Sequence, residues 1–120
     1  MNPTLQAFLV TAAGGALGAS VRFAVLSFAV PGALGIFVLN VLGALLLGIV
    51  LTVFEDRNGL VTLFLGTGLL GALTTFSTFA SDAVRLLQTA PIASCAYVIG
   101  SVTCALAAFY VGTLVAKAAL

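Results

Sequence analysis

Histidine and tryptophan are absent from this 120-residue chain, and charge is nearly so, with four Lys/Arg against three Asp/Glu. Without histidine there is no side chain that titrates near neutrality unperturbed, and no imidazole to hold a metal. No nucleophile–base pairing and no phosphate-cradling loop can be found either, so an enzyme is not expected. So few cations leave nothing to neutralise a phosphate backbone, which excludes nucleic acid as a partner. The two cysteines, Cys95 and Cys104, lie nine residues apart on one helical run. They therefore face roughly opposite ways and read as small packing residues. The opening "MNPTLQ" lacks a positive n-region, and the apolar stretch behind it is too long for a signal-peptide core, so no cleavable signal is expected.

What the chain does have is apolar length. Hydrophobic residues make up 62% of it and the mean hydropathy is +1.33. Apolar runs fall at about residues 5–28, 33–54, 60–87 and 91–115. Each clears the roughly 20 residues needed to cross a ~30 Å hydrocarbon core. In lipid the backbone must satisfy its own hydrogen bonds, and nothing alternates like a barrel strand. The expectation is an all-α membrane protein, a single domain over residues 1–120 with four transmembrane helices. Turn-forming residues mark three connections, "VPGA" (Val30–Ala33), "EDRNG" (Glu55–Gly59) and "LQTAP" (Leu87–Pro91).

Four spans put both termini and the "EDRNG" loop on one side, with Arg57 and Lys117, and leave Arg22 and Arg85 on the other. Fixed topologies show an excess of Lys/Arg in cytoplasmic loops, and here there is none. Either the balance is an accident of small numbers, or the chain inserts both ways and opposite copies pair. The second reading gives an antiparallel, dual-topology homodimer in the lipid bilayer. Such a dimer builds by association the inverted repeat that larger transporters carry in one chain. Gly14/Gly18, Ala44/Gly48 and Gly68/Ala72 form small-xxx-small pairs suited to close helix contact.

Polar residues at membrane depth are costly and suggest function. Asn40 stands alone midway along the second run, as an interhelical hydrogen-bonding group or as a donor to a passing anion. Ser94, Tyr97, Ser101, Cys104 and Ala108 follow at helical spacing on the fourth. Such a stripe lines a watery groove or packs against a helix equally well. Arg22 reaches the far interface of the first helix, to snorkel there or to hold a positive potential at a vestibule. Asp82 and Arg85 are i, i+3 neighbours, either an interfacial pair or a carboxylate placed in a vestibule.

The densest polar stretch is "GALTTFSTFA" (Gly71–Ala80), with Thr74, Thr75, Ser77 and Thr78 around Phe76 and Phe79. Its hydroxyls can bond back to their own helix. The glycines Gly66, Gly68 and Gly71 equally suit a helix that breaks mid-membrane, whose freed carbonyls would hold a cation. Phenyl edges are electropositive and can face an anion without trapping it, although core packing accounts for such a pair as well.

"GALTTFSTF" (Gly71–Phe79) resembles the motif of the Fluc (CrcB) fluoride channels. "GGALGASVRF" (Gly14–Phe23) and "FVLNVLGALLLG" (Phe37–Gly48) are similar to the first two helices of that family, and the likeness extends over all four spans. The resemblance implies a broken third helix and an antiparallel dual-topology dimer with two fluoride pathways. It implies a structural sodium ion at the dimer centre, held by the backbone carbonyls of Gly71 and Thr74 from both copies. The fluoride pathway would hold Asn40, Phe76 and Phe79, the hydroxyls of Thr75, Ser77 and Thr78, and Tyr97 and Ser101, with Arg22 in a vestibule. Two positions depart from the family pattern: Ile36 and Ala105 stand where hydroxyl residues are often found.

Fluoride is small and tightly hydrated, so a pore must replace its water with hydrogen-bond donors. Uncharged hydroxyls and one amide do this without holding the ion too strongly. The function expected is passive, electrogenic fluoride export across the cell membrane, protecting against fluoride toxicity. The alternative is a proton-coupled exporter of the small multidrug transporter type. That class needs a membrane carboxylate in its first helix, where this chain has none, and Asp82 in the third run is the remaining candidate. A non-transporting scaffold explains the glycines but not the hydroxyls around Phe76.

Overall fold

The computed structural model describes residues 1–54 and 59–120. The "EDRNG" connection except its Gly59, and with it Arg57, lies outside the described residues. Among the described residues, four helices are long and apolar enough to cross a membrane: α1 (Pro3–Phe28), α2 (Gly32–Phe54), α3 (Gly59–Thr89) and α4 (Pro91–Ala119). All four begin or end within a few residues of the sequence expectation.

The differences at the ends have local causes. Helix α1 starts at Pro3, whose missing N–H costs nothing in the first turn, and Asn2 caps it by accepting from the Thr4 N–H at 2.8 Å. Its C-terminus closes with the N–H groups of Ala29 and Val30 both on the Val25 carbonyl. Gly32 then turns the chain with φ +72°, left-handed backbone that side chains disfavour. Helix α3 runs on through Thr89, so the expected "LQTAP" loop shrinks to Ala90 before Pro91 opens α4. Helix α4 continues to Ala119, past the expected end, and places Lys117 in its last turn where a cation suits the carbonyl end.

Close packing rests on glycine. Helix α1 lies on the first half of α3, with Gly14 against the backbone of Phe64 and Gly68, and Gly18 against that of Leu69. Helices α2 and α4 cross in the same way, Gly48 against the Phe109 carbonyl and Gly112 against the Leu45 carbonyl. Where lipid removes the hydrophobic drive between helices, such backbone approach supplies dispersion contact instead. A small core of Leu39, Leu70 and Leu73 joins the two pairs, with Val25, Leu26, Leu47, Val50 and Leu69 around it. Large apolar side chains such as Phe8, Phe23, Phe28 and Ile92 point outward, as a lipid-facing surface requires.

Helix α3 is not regular. Over Leu63–Leu70 its turns widen to an i→i+5 pattern, and the Gly71 N–H reaches the carbonyls of both Gly66 and Gly68. A short helical piece, Gly71–Leu73, follows. The chain then extends through Thr74 (φ −81°, ψ 155°) and Thr75 (φ −151°, ψ 120°). A second helical half, Phe76–Thr89, completes the span. The expected interruption in the third helix is therefore present, between Leu73 and Phe76.

Candidate functional site

Breaking a helix strands backbone groups, and at this break side chains take up the N–H groups of Thr75 and Thr78. The Thr75 N–H donates to Asn40 Oδ1 at 2.9 Å, and Asn40 Nδ2 donates to the Thr75 carbonyl at 3.2 Å. The asparagine amide thus pairs with one peptide unit as a neighbouring strand would. It retains one N–H and one lone pair for other partners. Thr75 also caps the second half of α3, its Oγ1 accepting from the Thr78 N–H at 3.2 Å. The same oxygen donates to Thr78 Oγ1 at 3.2 Å and lies 3.2 Å from Ser77 Oγ. Thr74 turns back, with its N–H and its hydroxyl both on the Leu70 carbonyl at 3.1 and 2.9 Å. The Thr74 side chain seats its methyl against the bare Cα of Gly43.

In an unbroken helix the Thr75 N–H would serve the Gly71 carbonyl, and the Thr78 N–H the Thr74 carbonyl. Both donors are engaged elsewhere, on Asn40 and on Thr75 Oγ1. Two main-chain oxygens, one turn apart, are thereby released from their helical partners. An uncompensated carbonyl away from water costs roughly 1–3 kcal/mol. An all-oxygen, uncharged donor set of this kind fits a hard cation such as sodium.

The break opens onto a cleft of about 300 Å³ between α2, α3 and α4. Its polar lining comes from Asn40, Gly71, Thr74, Thr75 and Ser101, and its apolar lining includes Phe76, Phe79, Val102 and Ala105. Among the described residues, no charged side chain lines it. Phe76 is 78% exposed at the mouth, while Phe79 is buried beneath it, with ring centroids 5.5 Å apart. Tyr97 continues the row, 5.3 Å from Phe79. Three buried oxygens have no hydrogen-bond partner among the described residues: Ser101 Oγ, Tyr97 OH and Asp82 Oδ2.

Most of the residues singled out in the sequence meet here. Asn40, Gly71, Thr74, Thr75, Phe76, Phe79 and Ser101 share the cleft. Ser77 and Thr78 adjoin it through Thr75, and Tyr97 through Phe79. Arg22 does not; it is half-buried near the C-terminal end of α1 and no part of the lining. Asp82 does not line the cleft either, and its Oδ2 is buried without a hydrogen-bond partner among the described residues. Ser94, on the fourth-helix stripe, packs against α3 rather than lining the cleft, donating to the Ala83 carbonyl at 2.7 Å. Ile36 is 1% exposed and packed in the core, so the missing hydroxyl there lies off the cleft, whereas Ala105 lines it. Gly43 was not foreseen; its place three residues after Asn40, on the same helical face, is the signal that would have found it.

Known proteins resemble this arrangement in sequence. The model of the family described as CrcB-like protein, Camphor Resistance (CrcB), matches residues 9–113. The chain is 40% identical to "Fluoride-specific ion channel FluC" of Paracoccus denitrificans, over 92% of this chain and 94% of that protein. It is 36% identical to the protein of the same name from Oceanobacillus iheyensis, over 90% and 89%. A shorter stretch, 63% of this chain and 60% of the relative, is 57% identical to "Fluoride-specific ion channel FluC 1" of Rhodococcus jostii.

Proposed function

The chain belongs to the CrcB family, and on that premise we propose that it is a fluoride-specific ion channel, a multi-pass membrane protein that lets fluoride cross passively and electrogenically. It is a channel rather than an enzyme. The observation that carries the reading is the cleft at the helix break, whose donors are hydroxyls and one amide and whose lining is free of charge. Neutral donors replace the water of a small anion without holding it as a fixed cation would. The remaining Asn40 N–H, Ser101 Oγ and the edges of Phe76 and Phe79 are the groups through which fluoride would pass. Thr75, Ser77 and Thr78 form the hydroxyl cluster beside them, Tyr97 OH lies beyond Phe79, and Arg22 supplies positive potential from a vestibule. A proton-coupled exporter is not favoured, since among the described residues the lining holds no carboxylate to exchange protons.

The working unit in this proposal is an antiparallel, dual-topology homodimer. Gly71, Phe76, Ser77 and Thr78 are exposed in the single chain. Broken backbone at membrane depth is tolerated only where protein or a water-filled cavity covers it. A second copy supplies that cover, and the evenly divided cations permit it to insert the other way up. The carbonyls of Gly71 and Thr74 from both copies would then hold a sodium ion. When bound, sodium supplies positive charge to otherwise bare oxygens and ties the copies together.

Fluoride efflux from liposomes carrying the purified protein, read with an ion-selective electrode, tests the activity. Efflux is expected only when a potassium ionophore relieves the charge. Efflux without it would show coupled transport, and none in either case would reduce the hydroxyls to packing.

A further inference from the structure

We propose that Asn40 and Thr75 are positioning residues of the cation site, each holding away the one N–H that would otherwise close a ligand carbonyl back into the helix. The inference rests on the sodium reading of Gly71 and Thr74 given above. Its basis is a correspondence in the hydrogen bonds. The natural α-helical donor to the Gly71 carbonyl is the Thr75 N–H, and it sits on Asn40 Oδ1 at 2.9 Å. The natural donor to the Thr74 carbonyl is the Thr78 N–H, and it sits on Thr75 Oγ1 at 3.2 Å. One side chain thus frees each oxygen, and neither side chain need touch the ion.

Asn40 does this from another helix, 35 residues away in sequence, with a second bond from Nδ2 to the Thr75 carbonyl that fixes the extended peptide in place. Thr75 acts from within the break and is itself 7% exposed, so its hydroxyl has little room to turn elsewhere. Because Asn40 and Thr75 also line the fluoride cleft, the same two side chains serve both ions. Removing Asn40 Oδ1 lets the Thr75 N–H return to the Gly71 carbonyl and the helix heal. Removing Thr75 Oγ1 does the same for the Thr78 N–H and the Thr74 carbonyl.

The test reads sodium, not fluoride flux. Thermal unfolding of the purified full-length protein is followed by circular dichroism as sodium chloride replaces N-methyl-D-glucamine chloride. The wild type is expected to gain stability saturably with sodium. Asn40→Leu and Thr75→Val, which keep side-chain volume and lose the acceptor, should raise the half-saturating sodium at least about tenfold, the scale set by groups that orient metal ligands. Thr75→Ser and Asn40→Asp, which keep the acceptor oxygen, should hold the half-point near or below that of the wild type, even where fluoride flux falls. Carbon-13 chemical shifts of Thr75 in the protein reconstituted in lipid supply a second readout, moving from extended toward helical values in Asn40→Leu.

An unchanged half-point in Asn40→Leu and Thr75→Val, with the wild type still responding to sodium, overturns the inference and leaves the sodium reading intact. A wild type indifferent to sodium overturns both. Should Asn40→Leu or Thr75→Val not fold, a raised half-point in Thr75→Ser and Asn40→Asp likewise overturns it.

Discussion

Phe76 and Phe79 show how far a single residue's role follows from its type. Their spacing of three places both on one face of the second half of α3, and the rings do meet at 5.5 Å. Only the structure separates them, one 78% exposed at the mouth of the cleft and the other buried against Tyr97. A ring exposed at a cleft mouth contributes little to packing within one chain, so replacing it should spare the fold of that chain. Phe76→Ile is expected to slow fluoride efflux at least about tenfold, a barrier increase of about 1.4 kcal/mol, with the yield of folded protein unchanged on gel filtration. Normal efflux would remove Phe76 from the pathway. Asn40 was legible as a polar residue at depth, yet its partner was not. Nothing local points from residue 40 to the Thr75 peptide, because that pairing depends on how α2 crosses the break. Ser94 is settled in a similar way: helical spacing left its stripe either lining a groove or packing against a helix, and a carbonyl on the neighbouring helix claims its hydroxyl.

Helix α3 carries the same contrast at the scale of an element. Glycines at 66, 68 and 71 among hydroxyls left an interrupted helix open beside a continuous one, and the wide turns over Leu63–Leu70 and the extension at Thr74–Thr75 decide for the interruption. Which glycines serve packing and which serve the irregular turn could not be read from spacing. A methyl at Gly112 would strike the Leu45 carbonyl, whereas one at Gly66 would find only ordinary contact with Leu47 and Leu51, at 3.5 and 3.8 Å. Gly112→Ala is therefore expected to cost about 1–3 kcal/mol by forcing α2 and α4 apart, visible as a lowered unfolding temperature. Gly66→Ala should stay within about 1 kcal/mol of the parent, since alanine is also the better helix former. Equal losses in the two variants would mean that the helix crossings do not rest on these contacts. Gly112 itself was not singled out in the sequence, although Ala108 and Ala116 lie four positions away on either side.

The whole molecule is a thin assembly of two glycine-fitted helix pairs, with its most polar backbone left open on one face. Span number and approximate limits were readable because the bilayer dictates helix length. The pairing of α1 with α3 and of α2 with α4 was not, since glycine motifs mark close contact without naming the partner. Dual topology makes a distinct demand at this scale. Two lysines added beyond Leu120 should fix one orientation by the positive-inside bias, and two added beside Arg85 should fix the other. Each variant alone is expected to lose fluoride efflux, and co-expression of the two should restore it. Full activity of either one alone would rule out an antiparallel pair.

The two freed carbonyls at the break belong to the main chain, which every amino acid carries alike. No point substitution can delete an oxygen of Gly71 or Thr74, so ordinary mutation cannot remove the carbonyls proposed to hold the cation. What drift can reach is the pair of side chains that keep the N–H groups away, at positions 40 and 75. A lineage carrying this architecture can rewrite most of its lipid-facing surface freely, while the heritable record of the proposed ion site contracts to an amide and a hydroxyl.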